Sequence, residues 1–244
     1  MKKAFCFALC IALLLLCVGC NADNTPDASA DPAVWLLKKQ MMVQANGDTT
    51  VSTFSYNDGG QMIAYETRAN GTLNSQTEIG YDERGYKNYE KSTSTSGFVM
   101  EVFLTNDASG RVLTQRTVTS YQGNPLAESG AAFEYTDEYG SFVQTVTSGS
   151  AKGNTVTVTK DAHGNELSHV TSNGDSIQYE NKYDGNVLVE QISKRSSPSG
   201  LVVTKISYEY DENGNNVKTT TYDDLGVLIL THKYEYSSQK VQVS

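Results

Sequence analysis

The sequence predicts an all-β protein, an antiparallel meander of repeated hairpins wound into a twisted open shell or an incomplete barrel. Three observations carry that expectation. Beyond residue 33 the chain is rich in Thr, Ser, Tyr, Val, Asn and Gly and poor in Leu and Ile, a composition of strands and turns. Glycine-bearing turn pairs recur at intervals of about 10 to 17 residues, the spacing of short strands joined in series. No stretch of this region holds a 3.6-residue apolar period, so amphipathic helices are not expected.

The chain divides into residues 1–20, 21–33 and 34–244. The first segment has Lys2 and Lys3, then an apolar run, then Leu13-Leu14-Leu15-Leu16-Cys17-Val18-Gly19-Cys20. A short basic region, an apolar region and small residues before a cysteine form an export signal rather than a folded element. A membrane-spanning anchor is the poorer reading, because about 16 apolar residues follow Lys3 where ~20 are needed. Plain secretion, with cleavage after Ala22 or Ala30, is the other alternative. The segment resembles a bacterial lipoprotein signal peptide. The resemblance implies that Val18 and Gly19 precede the cut and that Cys20 accepts the lipid, acyl chains such as palmitate. Cys17 stands where that family usually has leucine.

Residues 21–33, Asn-Ala-Asp-Asn-Thr-Pro-Asp-Ala-Ser-Ala-Asp-Pro-Ala, are small, polar and acidic, the composition of a flexible tether. The domain is then expected to open at Trp35-Leu36-Leu37. All four cysteines, Cys6, Cys10, Cys17 and Cys20, lie in the first segment. A chain cut before Cys20 therefore has no disulfide, no thiol nucleophile and no cysteine-based metal site. Without Lys2 and Lys3, the 19 basic side chains become 17 against 28 acidic, a balance near −11. That balance argues against nucleic acid or an anionic surface as a partner held by bulk charge.

The repeat unit is a pair of hairpins of roughly 20 to 30 residues. Its signature is an aromatic residue, an Asp or Asn, and a glycine two to four positions on. Examples are Tyr56-Asn57-Asp58-Gly-Gly60, Tyr81-Asp82-Glu-Arg-Gly85, Tyr183-Asp184-Gly185, Tyr210-Asp211-Glu-Asn-Gly214 and Tyr222-Asp223-Asp-Leu-Gly226. Alternation places Tyr208 and Tyr210, or Phe133 and Tyr135, on one strand face, with Glu209 or Glu134 on the other. The Asp suits backbone N–H groups of the turn, and the glycine suits a positive φ. The final Tyr234-Glu235-Tyr236 keeps the strand and loses the turn, as a terminal cap would. The pattern resembles the YD-repeat (Rhs-type) family, whose unit centres on Tyr-Asp-x-x-Gly. In that family the repeats form a wound β-sheet. The resemblance implies architecture, with no toxin domain and no self-cleaving core recognisable in this chain.

Chemistry is mostly absent from the sequence. It has no His-Glu-x-x-His, Gly-x-Ser-x-Gly, Gly-x-Gly-x-x-Gly or phosphate-loop motif. His163 and His169 share a face but lack further metal ligands at a recognisable spacing. Asp211-Glu-Asn213-Gly214-Asn215 offers oxygens without the calcium-loop spacing, and reads as a plain turn. No cofactor and no catalytic set is expected, and the chain is read as non-enzymatic. Tyr81, Tyr183, Tyr210 and Tyr222 are the candidate aromatic platform, with cross-strand packing as their first role. The expected protein is exported and held by lipid on Cys20 to a bacterial membrane, at the cell surface or the periplasmic face. It has a structural or binding role, with cell-wall glycan or an envelope protein as possible partners. The alternatives are a carrier that holds a lipid or glycan on its curved sheet and, third, a secreted hydrolase.

Overall fold

Short alternating segments between glycine turns fold as strands in series, and sixteen strands form in this chain. The computed structural model describes residues 33–198 and 200–240. The first eight strands are β1 (Ala33–Gln44), β2 (Thr49–Tyr56), β3 (Met62–Ala69), β4 (Thr72–Tyr81), β5 (Lys87–Ser94), β6 (Phe98–Asn106), β7 (Val112–Tyr121) and β8 (Asn124–Tyr135). The second eight are β9 (Phe142–Ser148), β10 (Thr155–Lys160), β11 (Glu166–Thr171), β12 (Ser176–Asp184), β13 (Val187–Ser197), β14 (Gly200–Tyr210), β15 (Asn216–Asp223) and β16 (Leu228–Lys240). No helix occurs among the described residues. Each turn pair marked in the sequence contains a glycine with positive φ.

Every strand pairs antiparallel with its neighbours in sequence, and β1 pairs with β16, so the sheet is a closed barrel. This corrects the expectation of an open shell or incomplete barrel. The cause lies in the last repeat. Tyr234-Glu235-Tyr236 is no exposed cap but the middle of β16, which runs beside β1 from Ala33↔Lys240 to Gln44↔Leu230. An even number of meander strands brings first and last together antiparallel. Their pairing removes two edges that would otherwise expose rows of unpaired N–H and C=O groups.

The barrel has two unlike rims. The turns after β2, β4, β6, β8, β10, β12 and β14 share one rim with the start of β1 and the end of β16. The aromatic–Asp signatures lie there, with one exception. Tyr222-Asp223 precedes the turn after β15, at the opposite rim. The register also divides the strand side chains into two faces. One carries Phe54, Tyr65, Thr77, Val102, Phe133, Val158, Tyr179, Tyr208, Thr219 and Tyr234. The other carries Glu66, Arg68, Arg116, Glu128, Glu180, Lys194, Glu209 and Lys218.

The aromatic face is the concave one. Side chains converge on the inside of a curved sheet, and here Tyr208 on β14 is within electrostatic reach of Tyr179 and Tyr183 on β12 and Tyr234 on β16. Few side chains are fully covered. Leu36, Leu37, Ala131 and Val158 are the buried apolar ones among the described residues. Most inner side chains remain half-exposed, as expected where sixteen strands enclose an open interior rather than a packed core.

Candidate functional site: the inner wall

The wall is assembled by the signature residues. In five turns the side chain of the Asp accepts two backbone N–H groups at once. Asp82 takes those of Arg84 and Tyr86, and Asp107 those of Ser109 and Arg111. Asp161 takes His163 and Asn165, Asp211 takes Asn213 and Asn215, and Asp223 takes Leu225 and Val227. The N–H of Tyr86 is the main cause that holds the Asp82 carboxyl below its ordinary value, and the Asn215 side chain does the same for Asp211.

The aromatic residue of the signature has a separate task. The ladder between consecutive hairpins stops short of the signature rim: β1 and β2 pair only over Lys39–Val43 and Thr49–Thr53. Beyond that point the Leu37 carbonyl receives the Tyr56 hydroxyl at 2.7 Å. In the same way Tyr81 donates to the Met62 carbonyl at 2.7 Å, and Tyr210 to the Leu188 carbonyl at 2.7 Å. Asn106 replaces the phenol in its repeat and donates to the Lys87 carbonyl at 2.9 Å. Each contact substitutes for a backbone bond where two hairpins part, so these polar groups are satisfied without a continuous ladder. A register shift falls beside the signature residue in most of these hairpins, as at Ser55/Tyr56, Gly80/Tyr81 and Glu209/Tyr210. Such bulges raise the local twist and help the sheet to curl.

Tyr183 departs from the rule. Its hydroxyl donates to Asp161 Oδ2, it receives Asn165 Nδ2 at 2.8 Å, and the His163 ring stacks on it at 4.3 Å. Burial first, then the Asp161 carboxylate, pushes its phenol up to about 12. Asn181 bonds the same Asp161 oxygen at 3.0 Å and receives Gln191 Nε2 at 2.9 Å. The Gln191 Oε1 receives the Tyr208 hydroxyl at 3.5 Å. A polar chain thus runs inward from the rim along β12, β13 and β14.

Of the four tyrosines singled out in the sequence, Tyr81, Tyr183 and Tyr210 stand at the signature rim with committed hydroxyls. Tyr222 lies on the outer face opposite Lys205, in a shallow hollow with Ile192 and Val203 near the other rim. The four therefore do not form one platform. The aromatic wall is made instead by Tyr65, Tyr179, Tyr208 and Tyr234, with Phe54 packed on Tyr65 at 5.7 Å and Phe133 on Phe142 at 5.6 Å. Strand alternation was the available signal for Tyr208, two residues before the motif tyrosine. The continuation of that wall from β16 onto β1 could be found only once closure was known.

Charge separates the faces. Outside, pairs run from strand to strand or along one strand: Arg116–Glu128 at 2.8 Å, Lys218–Glu209 at 2.7 Å, Lys205–Glu190 at 2.6 Å, Lys39–Glu235 at 2.7 Å, Arg68–Glu66 at 3.0 Å and Lys194–Glu180. Inside, charged groups are few: Glu90 pairs with Lys87, Glu166 bonds the Tyr179 hydroxyl, and Arg195 on β13 lies within electrostatic reach of the same ring. His232 is inside as well, and burial depresses its basicity. No group of three His, Cys, Asp or Glu side chains suited to a metal ion occurs among the described residues. The Asp211 turn, weighed for calcium, has its carboxylate occupied by its own turn and by Asn215 Nδ2 at 3.0 Å. Cys20 and the segment before residue 33 lie outside the described residues.

No protein-family model and no curated protein matches the chain. Solved structures do. A porin-like protein from Bacteroides uniformis ATCC 8492 superposes with a TM-score of 0.55 at 13% identity, covering 84% of this chain and 99% of that one. A porin-like protein from Bacteroides vulgatus ATCC 8482 gives 0.53 at 10% identity, with coverage of 84% and 99%. At such identities the likeness is one of fold: this chain is similar to those proteins in being an antiparallel β-barrel over nearly their whole length.

Proposed function

We propose that the chain is a lipid-anchored protein of the bacterial envelope. Its barrel stands in water beside the membrane and serves a non-enzymatic binding role through its inner wall. The observation that supports this most is the sidedness of the sheet. A barrel that spans a bilayer presents an apolar band to lipid and polar groups to its lumen. Here the order is reversed: the ion pairs lie outside and the ring pairs Phe54–Tyr65 and Phe133–Phe142 inside, while the Tyr89–Phe103 pair on the outer face is covered by Arg116. A single Lys or Arg on the lipid face near the midplane costs ~2–4 kcal/mol, and this outer face has many. The porin-like neighbours therefore lend a shape, while membrane attachment rests on the Cys20 signal. The tether would enter at the signature rim, where β1 begins.

Two measurements test the reading. Fatty-acid labelling of cells should mark the wild type and leave Cys20→Ser unmarked; equal label would end the lipoprotein proposal. In membranes, an impermeant amine reagent should modify Lys194 and Lys218 on the outer face as fully as in detergent. Protection of both lysines by the bilayer would mean a membrane-spanning barrel instead.

A further inference from the structure

We propose that the inner wall from β12 through β16 to β1 is a subsite for an uncharged glycan strand, with Tyr208, Tyr234 and Gln191 as its main contacts. The inference deepens the binding role given above and rests on that reading. Its first support is the contrast between two kinds of tyrosine. At the rim, Tyr56, Tyr81 and Tyr210 hold backbone carbonyls at 2.7 Å, so their hydroxyls are committed. In the middle of the wall the contacts are long. Tyr208 reaches Gln191 at 3.5 Å, and the Tyr234 hydroxyl lies 3.4 Å from Thr219 Oγ1. Bonds of that length are weak, so an incoming polar group can replace them at little cost.

The second support is the chemistry of the arc. Tyr208 and His232 both face Thr219 across the ladder, and the His232 and Tyr234 rings lie 6.2 Å apart. Ring faces pack on the C–H faces of a sugar, while phenol, hydroxyl and amide groups meet its hydroxyls. An acyl chain in the same place would exclude water and leave the Tyr208 and Tyr234 hydroxyls with only their long, weak bonds to Gln191 and Thr219. Charge selects further. The whole chain stands at −9, so an anionic polymer is repelled on approach. The cation nearest this arc, Arg195, lies four residues along β13 from Gln191, within electrostatic reach of Tyr179, and the Glu166 carboxylate bonds the same phenol.

Titration calorimetry on the full chain would use the tetramer of β-1,4-linked N-acetylglucosamine, maltotetraose, and polygalacturonate as an anionic comparison. Saturable binding of at least one neutral oligosaccharide is expected, and none of polygalacturonate. Tyr208→Phe keeps the ring and removes one hydrogen bond, so affinity should fall about three- to tenfold. Tyr222→Phe, on the outer face, should bind as the wild type does. Absence of saturable binding by either neutral sugar, tighter binding of polygalacturonate, or a Tyr208→Phe chain that binds as tightly as wild type would overturn the proposal. None of these results would move the acylation of Cys20 or the labelling of Lys194 and Lys218, so the two readings fail separately.

Discussion

Tyr210 illustrates how one side chain fills two needs of this fold. Its ring lies half-buried on the inner wall, and its hydroxyl closes the Leu188 carbonyl at 2.7 Å where β13 and β14 part. Tyr210→Ala should therefore cost ~1–3 kcal/mol in urea unfolding, through lost packing and an orphaned carbonyl. Tyr210→Phe should cost ~1 kcal/mol, the hydrogen bond alone. Tyr222→Ala should cost less than Tyr210→Ala, because Tyr222 lies outside and latches no carbonyl. A ranking with Tyr222 first would refute the latch. The turn carboxylates give a second prediction at this scale. Asp82 and Asp211 are held below their ordinary 3.8 by bonds that exist only in the folded chain. A depressed folded pKa contributes stability that is complete above the unfolded value and is lost as pH falls toward the folded one. The thermal midpoint should therefore be flat from pH 7 to about 5 and drop below about 4. Asp211→Asn should lie below wild type at pH 7 and converge with it in acid. Parallel curves at every pH would remove the turn carboxylates as the cause.

At the scale of the hairpin, the signature turns differ in how much room they leave. Gly110 and Gly214 have similar positive φ, +83 and +79. A methyl group on Gly214 would meet open space, whereas one on Gly110 would come within 2.5 Å of the Tyr86 ring. That ring is itself held, since its hydroxyl donates to the Ala108 carbonyl at 3.1 Å. Gly214→Ala should cost ~1–2 kcal/mol, the left-handed penalty by itself. Gly110→Ala should cost more, and chemical denaturation of the two variants side by side decides it; equal losses would show that Tyr86 yields freely. The strands and their turns were legible in the sequence because each depends on neighbours in the chain: a glycine after Asp, and an aromatic two residues from another aromatic. The facing of Tyr208 and Tyr210 away from Glu209 followed from alternation alone, and the register bears it out. The bulges beside Tyr56, Tyr81 and Tyr210 were not legible. They depend on how a ladder meets its turn, and the residues there are ordinary ones. The hydroxyl latches were hidden for the same reason, since each joins residues about 20 positions apart across a gap in the ladder.

Closure belongs to the molecule as a whole, and no local signal announces it. The pairing of β1 with β16 joins Lys39 to Glu235, 196 residues away, and gives the chain its single longest-range seam. An open array and a closed barrel make opposite predictions for the loss of the last strand. In an open array each repeat contacts only its neighbours, so removal of β16 would trim one unit and leave the rest folded. In the barrel the same deletion exposes two edges at once, β1 and β15, and both can pair with other chains. It also uncovers the inner side of Thr219, which is 6% exposed and lies between Tyr208 and His232. Deletion of residues 228–240 should thus abolish the cooperative urea transition and drive the protein into aggregates on size exclusion. A soluble monomer with a slightly lowered midpoint would mean that the seam adds little and that the repeats stand by themselves. If lipid on Cys20 holds the chain to a membrane, a pull from that side loads the pairs from Ala33↔Lys240 to Leu37↔Tyr236 first, and the ion pair of Lys39 with Glu235 only after them.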